Sequence, residues 1–276
     1  QDLNMQNPYW IQNKNLRENR RMRYMLHVNA KYDFTDWLNL AARVKVDNTM
    51  GESENKFYAS TIEIYAGPNG TYRANKELTQ SLYTDLLLNI DKTIGDFSIS
   101  ANIGGSMSKE ESDLLGGGGK LEIPNFFALP NVQKQYRGFE QRKAHSMLTM
   151  STFMNAELGW KSKVYLTLTA RNDWASSLSN TEQMSFFYPS VGLSGILTEI
   201  FNLPDMISYV KVRASYAEVG SALPVYLSTP TYRFNDMNGY YETYTRLVPD
   251  KLYPELTHSW ELGINTCLLY TSDAAD

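Results

Sequence analysis

Hydrophobic and polar residues alternate with a period of two along most of this chain. Residues 24–32 carry Tyr24, Leu26, Val28, Ala30 and Tyr32 on one parity and His27, Asn29 and Lys31 on the other. That is the pattern of a strand with one apolar and one polar face. It restarts after a short break, with Leu38, Leu40, Ala42, Val44 and Val46 set against Asn39, Arg43, Lys45 and Asp47. So short a break between two such runs makes a hairpin. Residues 82–90 repeat the arrangement, Gly95 and Asp96 turn it into 97–103, and further runs follow at 150–158, 164–170, 191–197, 210–216 and 258–264. The pattern predicts an all-β antiparallel meander of about nine strands, with no amphipathic helix longer than a turn or two.

The links between these runs alternate in length. Short ones fall at 33–37, 93–96, 159–163 and 198–208, and long ones at 48–80, 108–143, 172–186 and 220–257. Consecutive antiparallel strands put alternate links at opposite ends, so one end of the sheet is trimmed and the other elaborated. Outer-membrane barrels have this asymmetry, with short periplasmic turns and long extracellular loops. A strand of about 10 residues tilted near 40° also covers roughly 25 Å, the height of their apolar band. Tyr32, Trp37, Phe97, Trp160 and Tyr209 all lie beside short links, where amphipathic rings form an interfacial girdle. The competing fold is a soluble, secreted all-β domain that binds carbohydrate or acts as an adhesin. Such sandwiches space short strands evenly and do not confine long loops to alternate links.

Composition narrows the function. Lysine and arginine total 26 against 30 acidic residues, a net charge of -4, which argues against nucleic acid as the main partner. The only cysteine is Cys267, so there is neither a disulfide framework nor a thiolate metal site. His27, His145 and His258 are far apart, with no carboxylate at ligand spacing. Gly116-Gly117-Gly118-Gly119-Lys120 lacks the strand, helix and Ser/Thr of a phosphate loop and reads as a flexible loop tip. Glu110, Glu111 and Asp113 lack calcium-loop spacing and read as a solvated loop, and Asn69-Gly70-Thr71 as a turn. No constellation calls for a catalytic site, a metal or a cofactor.

Several segments go beyond pattern. Asn125-Phe126-Phe127-Ala128-Leu129, Leu168-Thr169-Ala170-Arg171-Asn172-Asp173-Trp174, Phe187-Tyr188-Pro189-Ser190-Val191-Gly192, Val210-Lys211-Val212-Arg213-Ala214-Ser215-Tyr216 and Tyr253-Pro254-Glu255-Leu256, in this order and spacing, resemble the barrel of the SusC/RagA family of TonB-dependent transporters of Bacteroidetes. The resemblance runs from about Tyr24 to Asn265. It implies a 22-stranded transmembrane barrel in the outer membrane, preceded by a plug that this chain lacks. Residues 1–21 would be an extracellular loop or strand lead-in, and 22–266 a partial barrel. Residues 267–276 resemble translated sequencing-adapter sequence and imply a non-native tail. The family further implies import of a glycan or oligosaccharide, or of a peptide, under a SusD-like surface lipoprotein, driven by the TonB complex through the absent N-terminal part.

On that reading the polar parity, including Arg43, Lys45, Asp85, Asn89, Lys211 and Arg213, lines the lumen, and the apolar parity meets outer-membrane lipid. The long links carry aromatics suited to hold a sugar ring or other amphipathic solute: Tyr58, Tyr65, Tyr72, Phe126, Phe127, Tyr240 and Tyr241, with Tyr232, Phe234 and Tyr244 beside them. The alternative role for these rings is to pack the loops against each other.

Overall fold

Each alternating run is a strand of one antiparallel sheet. The computed structural model describes residues 5–63, 65–204, 206–228, 233–235, 240–242 and 252–268. Its strands are β1 (Asn15–Thr35), β2 (Leu38–Phe57), β3 (Thr71–Ile94), β4 (Phe97–Lys120), β5 (Gly138–Trp160), β6 (Val164–Ala175), β7 (Ser185–Ile196) and β8 (Ile207–Ser221), then a ribbon of β9 (Arg233–Asn235) and β10 (Tyr240–Glu242), and finally β11 (Glu255–Leu268). The main sheet follows chain order, β1 to β8 and then β11, with every neighbour antiparallel. No described helix is long and apolar enough to cross a membrane.

The trimmed end is built from tight turns. Gly95, at φ +59, closes the β3–β4 hairpin, and Lys161 and Ser162, both left-handed, close β5–β6. The one longer link at this end holds the single-turn helix α2 (Leu197–Ile200). At the other end, α1 (Pro8–Lys14) precedes β1, capped by the Asn7 side chain, which accepts from the Tyr9 N–H at 2.9 Å, with Pro8 in its first turn.

Two sequence expectations need correction at that end. The links at 48–80 and 108–143 are mostly strand: β2 pairs with β3 from Leu38–Ile90 up to Phe57–Thr71, and β3 with β4 up to Thr71–Lys120. Residues 15–21 are likewise paired, with 51–57. These upper segments are polar on both parities, so they carry no hydrophobic period although the hydrogen-bonded ladder continues. The glycine run is the second correction. Gly116, Gly117 and Gly118 are buried in β4 and paired across to Asn75, Ala74 and Arg73. A Cβ on Gly118 would lie 2.2 Å from the Tyr72 carbonyl oxygen, and one on Gly119 2.1 Å from that of Tyr136. Glycine is required there because the β3 backbone comes close at Gly118 and the backbone of the next loop crosses the strand at Gly119. The acidic trio also belongs to β4, with Glu111 held by Lys109 at 2.8 Å, and alternation sends Glu110 to the face opposite Glu111 and Asp113. The turn at Asn69, Gly70 and Thr71 forms as expected, with Gly70 at φ +95.

Loops 58–70 and 121–137 pack on one another around Leu121, Val132 and Tyr72. Asn131 stitches the second loop, donating to the carbonyls of Ile123 and Phe126 and accepting from the Ile123 N–H. A second small core joins Ala175, Leu178 and Phe186 to Ala222 and Leu223. In β11, Thr266, Cys267 and Leu268 pair with Val210, Tyr209 and Ile207, whereas 269–276 lie outside the described residues.

The two faces of the sheet are inverted relative to a soluble protein. The Asp85 side chain is 0% exposed, whereas its neighbour Leu86 is 56% exposed. Ser151 and Asp173 are buried on the Asp85 face, and Val28, Val44, Ile103, Met154 and Leu193 are exposed on the Leu86 face. A soluble sandwich buries its apolar parity. A sheet with water on its polar side and lipid on the other does what is seen here.

Candidate functional site

The register assembles the polar parity into one continuous wall. A single cross-strand row runs Asn29, Arg43, Asp85, Ser106, Ser151, Asp173 and Phe186 across β1 to β7. Arg43 donates to both carboxylate oxygens of Asp85, at 2.9 and 2.6 Å, and the Tyr83 hydroxyl donates to the same group at 2.8 Å. Three strands along, Arg171 donates to Asp173 at 2.7 Å and to the Ser151 hydroxyl at 3.1 Å, and Tyr188 donates to Asp173 at 2.7 Å. Each buried carboxylate is therefore neutralised by one guanidinium and capped by one phenol, which is how a buried charge is kept.

The expected lumenal residues share this face. Asn89 donates to Asn39 at 2.7 Å, Lys45 lies opposite Tyr83, Lys211 sits over the Tyr165 ring, and Arg213 pairs with Glu261 at 2.7 Å. The wall is thus rich in hydrogen-bonding groups yet largely charge-balanced. Such a surface can pass a polar solute without holding it. Sequence reasoning missed Tyr83, Arg171, Asp173 and Tyr188, and the available signal was parity, because all four continue the Arg43 face. Among the described residues, no group of three His, Cys, Asp or Glu side chains is placed to hold a metal.

The five residues expected in a girdle all lie near the end with the tight turns. Tyr32, Phe97 and Trp160 lie on the exposed apolar parity, with Phe97 opposite Trp160, and Trp37 in its turn carries Lys92 at 4.2 Å from the ring centroid. Tyr209 is a correction: it shares the parity of Lys211 and Arg213 and so belongs to the polar face. Closeness to a short link sets height, whereas parity sets side. The structure adds a second belt on the apolar face about eight to ten residues up each strand: Tyr24, Trp174, Phe187, Tyr216 and Trp260, all lying outward. Tyr216 hydrogen-bonds Glu218 and His258 at the upper edge of this belt. The two belts are roughly 20–25 Å apart, the height of an apolar membrane band.

The loop aromatics divide into two sets. Tyr58, Tyr72 and Phe127 form a packed cluster, with ring centroids 4.9 Å apart for Tyr58 and Phe127 and 6.2 Å apart for Tyr72 and Phe127. Their observed role is to join the two loops. Phe126, Tyr65, Tyr240 and Tyr241 are exposed at the rim. Tyr232 and Tyr244, and the side chain of Phe234, lie outside the described residues.

This inside-out wall with two aromatic belts has a counterpart among known proteins. The TonB dependent receptor-like, beta-barrel family matches residues 1–275. The chain belongs to that family. A TonB-dependent receptor P3 of Formosa agariphila is 26% identical over 226 residues, spanning 78% of this chain and 22% of the relative. The structure of the RagAB peptide transporter superposes with a TM-score of 0.76 at 19% identity, covering 95% of this chain and 29% of that one. The siderophore receptor PiuA of Acinetobacter baumannii gives a TM-score of 0.55 at 15% identity over 89% of this chain. The family is one of outer-membrane transporters and receptors, and its members cross with β-strands. This chain spans 22% of the length of the Formosa agariphila receptor and 29% of the RagAB chain.

Proposed function

We propose that this chain forms part of the wall and rim of a TonB-dependent importer in the outer membrane. The inverted sheet carries the reading: the Arg43–Asp85 and Arg171–Asp173 pairs, each with a buried carboxylate, lie on one face, whereas leucine, valine and aromatic side chains are exposed on the other. The solute is a glycan or oligosaccharide, or a peptide, and a SusD-like lipoprotein covers the mouth. Energy comes from the TonB complex acting on a part of the transporter outside this chain. The RagAB structures, a peptide transporter of the same fold, keep peptide among the candidates. No step in this function makes or breaks a bond in the solute, so the wall needs no nucleophile or acid–base pair. The exposed rim rings Tyr65, Phe126, Tyr240 and Tyr241 are the contacts for solute or lid, since rigidly held loops at one rim are where recognition is built.

The test is replacement of these four rings by alanine in the intact transporter, followed by growth on the cognate nutrient and surface labelling. Reduced uptake at unchanged surface abundance is expected. Unchanged uptake would remove recognition from this rim, and loss of surface abundance would make the rings structural.

A further inference from the structure

Above the upper aromatic belt, the polar face of β1 to β3 contains a hollow of about 500 Å³ that the transport reading leaves unassigned. Its floor is Gly51, which lies between Arg21 on β1 and Glu77 on β3 in one cross-strand row. The row above adds Asn19, Ser53 and Asn75, and the one below adds Thr49. Gly51 stands 13 residues above the start of β2 at Leu38, so the hollow is roughly 33 Å from the periplasmic end and clear of the apolar band.

The charges around it are not symmetric. Glu77 pairs with Arg142 at 3.5 Å, and Glu52, whose parity points it to the outer face, pairs with Lys76 at 2.8 Å. Arg23, one row-pair lower on the same face, is held by Asp47 at 2.5 Å. Among the described residues neither Arg21 nor Arg20 has an ion-pair partner, but Arg20 lies opposite Glu52 on the outward parity, so Arg21 is the uncompensated guanidinium on the polar face of the hollow. Next to it, amide and hydroxyl side chains supply donors and acceptors in both senses.

We infer that this hollow binds a carboxylate carried on a hydroxyl- or amide-rich backbone, with Arg21 as the fork and the Asn19, Ser53, Asn75 and Thr49 side chains holding the chain beside it. A guanidinium takes a carboxylate by two parallel hydrogen bonds, which gives orientation as well as attraction. The missing side chain at Gly51 makes the room. Its nearest heavy atom to an added Cβ is the Glu77 carbonyl oxygen at 4.0 Å, and its φ is not left-handed. The glycine is therefore not needed for the turn of the backbone, and emptiness is what it provides. The chemistry fits the C-terminus of a short peptide or the acid group of a uronic sugar. The inference rests on the importer reading only for the source of its ligand.

The test is equilibrium binding to the intact transporter, purified in detergent, with trialanine and its C-terminal amide, and with digalacturonate and neutral digalactose. At least one acid is expected to bind about tenfold more tightly than its neutral partner, and to weaken as salt is added. Arg21→Gln should erase that preference, and Gly51→Val, which suits a strand and meets no backbone, should abolish binding of both partners. Preference for trialanine alone assigns a peptide terminus, preference for digalacturonate alone assigns a uronate, and preference in both pairs makes the carboxylate sufficient. Binding that survives both substitutions, or no acid preference at millimolar concentration, overturns the site. A binding result that stands beside absent uptake instead counts against the importer reading and leaves the site intact.

Discussion

The lower and upper halves of β2 and β3 share one hydrogen-bonded ladder, in unbroken register from Leu38–Ile90 to Phe57–Thr71. They differ in everything else. In the lower half Leu40, Ala42, Val44 and Val46 face out, while Asn39, Arg43, Lys45 and Asp47 face in. In the upper half the outward positions are Met50, Glu52, Glu54 and Lys56, and the inward ones Thr49, Gly51, Ser53 and Asn55. Backbone pairing is thus indifferent to what surrounds the strand, and the side-chain pattern records only the solvent on each side. Where lipid is replaced by water the period vanishes and the strand does not. The strands β6, β7, β8 and β11 have 12, 12, 15 and 14 residues, against 20 to 24 for β1 to β5. The wall therefore stands tall on one side and ends near the membrane on the other.

Two leucines on one strand sharpen that comparison most. Leu88 and Leu78 lie on the same parity of β3, ten residues apart, at roughly 15 and 40 Å from the periplasmic end. Leu88→Arg should cost about 2–4 kcal/mol because it places a charge in lipid. Leu78→Arg, facing water, should cost less than about 0.5 kcal/mol. Reversible urea unfolding of the intact barrel in lipid vesicles measures both. Equal costs would break the assignment of the lower half to the membrane.

The next largest contrast lies between ion pairs. Arg43→Ala leaves the Asp85 carboxylate with no exposed surface and only the Tyr83 hydroxyl as a direct side-chain donor. The expected loss is about 1–3 kcal/mol, below the range for a fully dry pair because the Arg43 side chain itself reaches the lumen. Lys76→Ala in the upper half removes a pair whose members are 76% and 46% exposed, and no measurable change in the same unfolding assay is expected. Asp85→Asn combined with Arg43→Ala should recover part of the first loss, since no buried charge is then left alone. A double variant no better than Arg43→Ala would show that the pair does not act through charge.

These contrasts also explain what could be read from the sequence. The nine lower strands, their order and their polar and apolar parities were legible because different surroundings on the two faces impose a period of two on residues such as Leu86 and Asp85. Arg43 and Asp85 were legible as residues of the polar face, but their pairing was not, because it depends on register between residues 42 apart in sequence. The upper halves and the Gly116 run were misread as loop, since glycine and alternating polar residues look alike whether or not they are hydrogen-bonded to a neighbour. Tyr72 and Phe127 looked the same as Phe126 in sequence. Which rings are packed and which are free is settled by the path of loop 121–137 over β4, and local composition carries no trace of that path.

The smallest expected effect lies at the top of the tall wall and tests whether its ladder needs side chains at all. On the outward face of β2, well above the band, Lys56 pairs with Glu54 at 2.6 Å and with Glu18 at 3.4 Å, and the Tyr72 hydroxyl donates to Glu54 at 3.3 Å. The hydrogen bond from Lys56, aided by that from Tyr72, holds the Glu54 carboxyl below its ordinary value, against a smaller opposing effect of burial. A carboxylate whose folded value is depressed stabilises the fold above its unfolded pKa, and that contribution fades as pH falls through the folded value. Acidification below the usual carboxylate range should therefore loosen the top of β2 and β3 before the lower halves, whose outward residues do not titrate. Amide exchange, corrected for its intrinsic pH dependence, reads the two halves separately. The change should be modest because the pair is open to solvent, and Glu54→Gln should remove it. If Glu54→Gln leaves an equal acid response at Glu52 and Lys76 as well as at Tyr72, the response belongs to the whole charged wall. If neither protein responds, backbone pairing and the loop core around Leu121 hold the wall upright unaided.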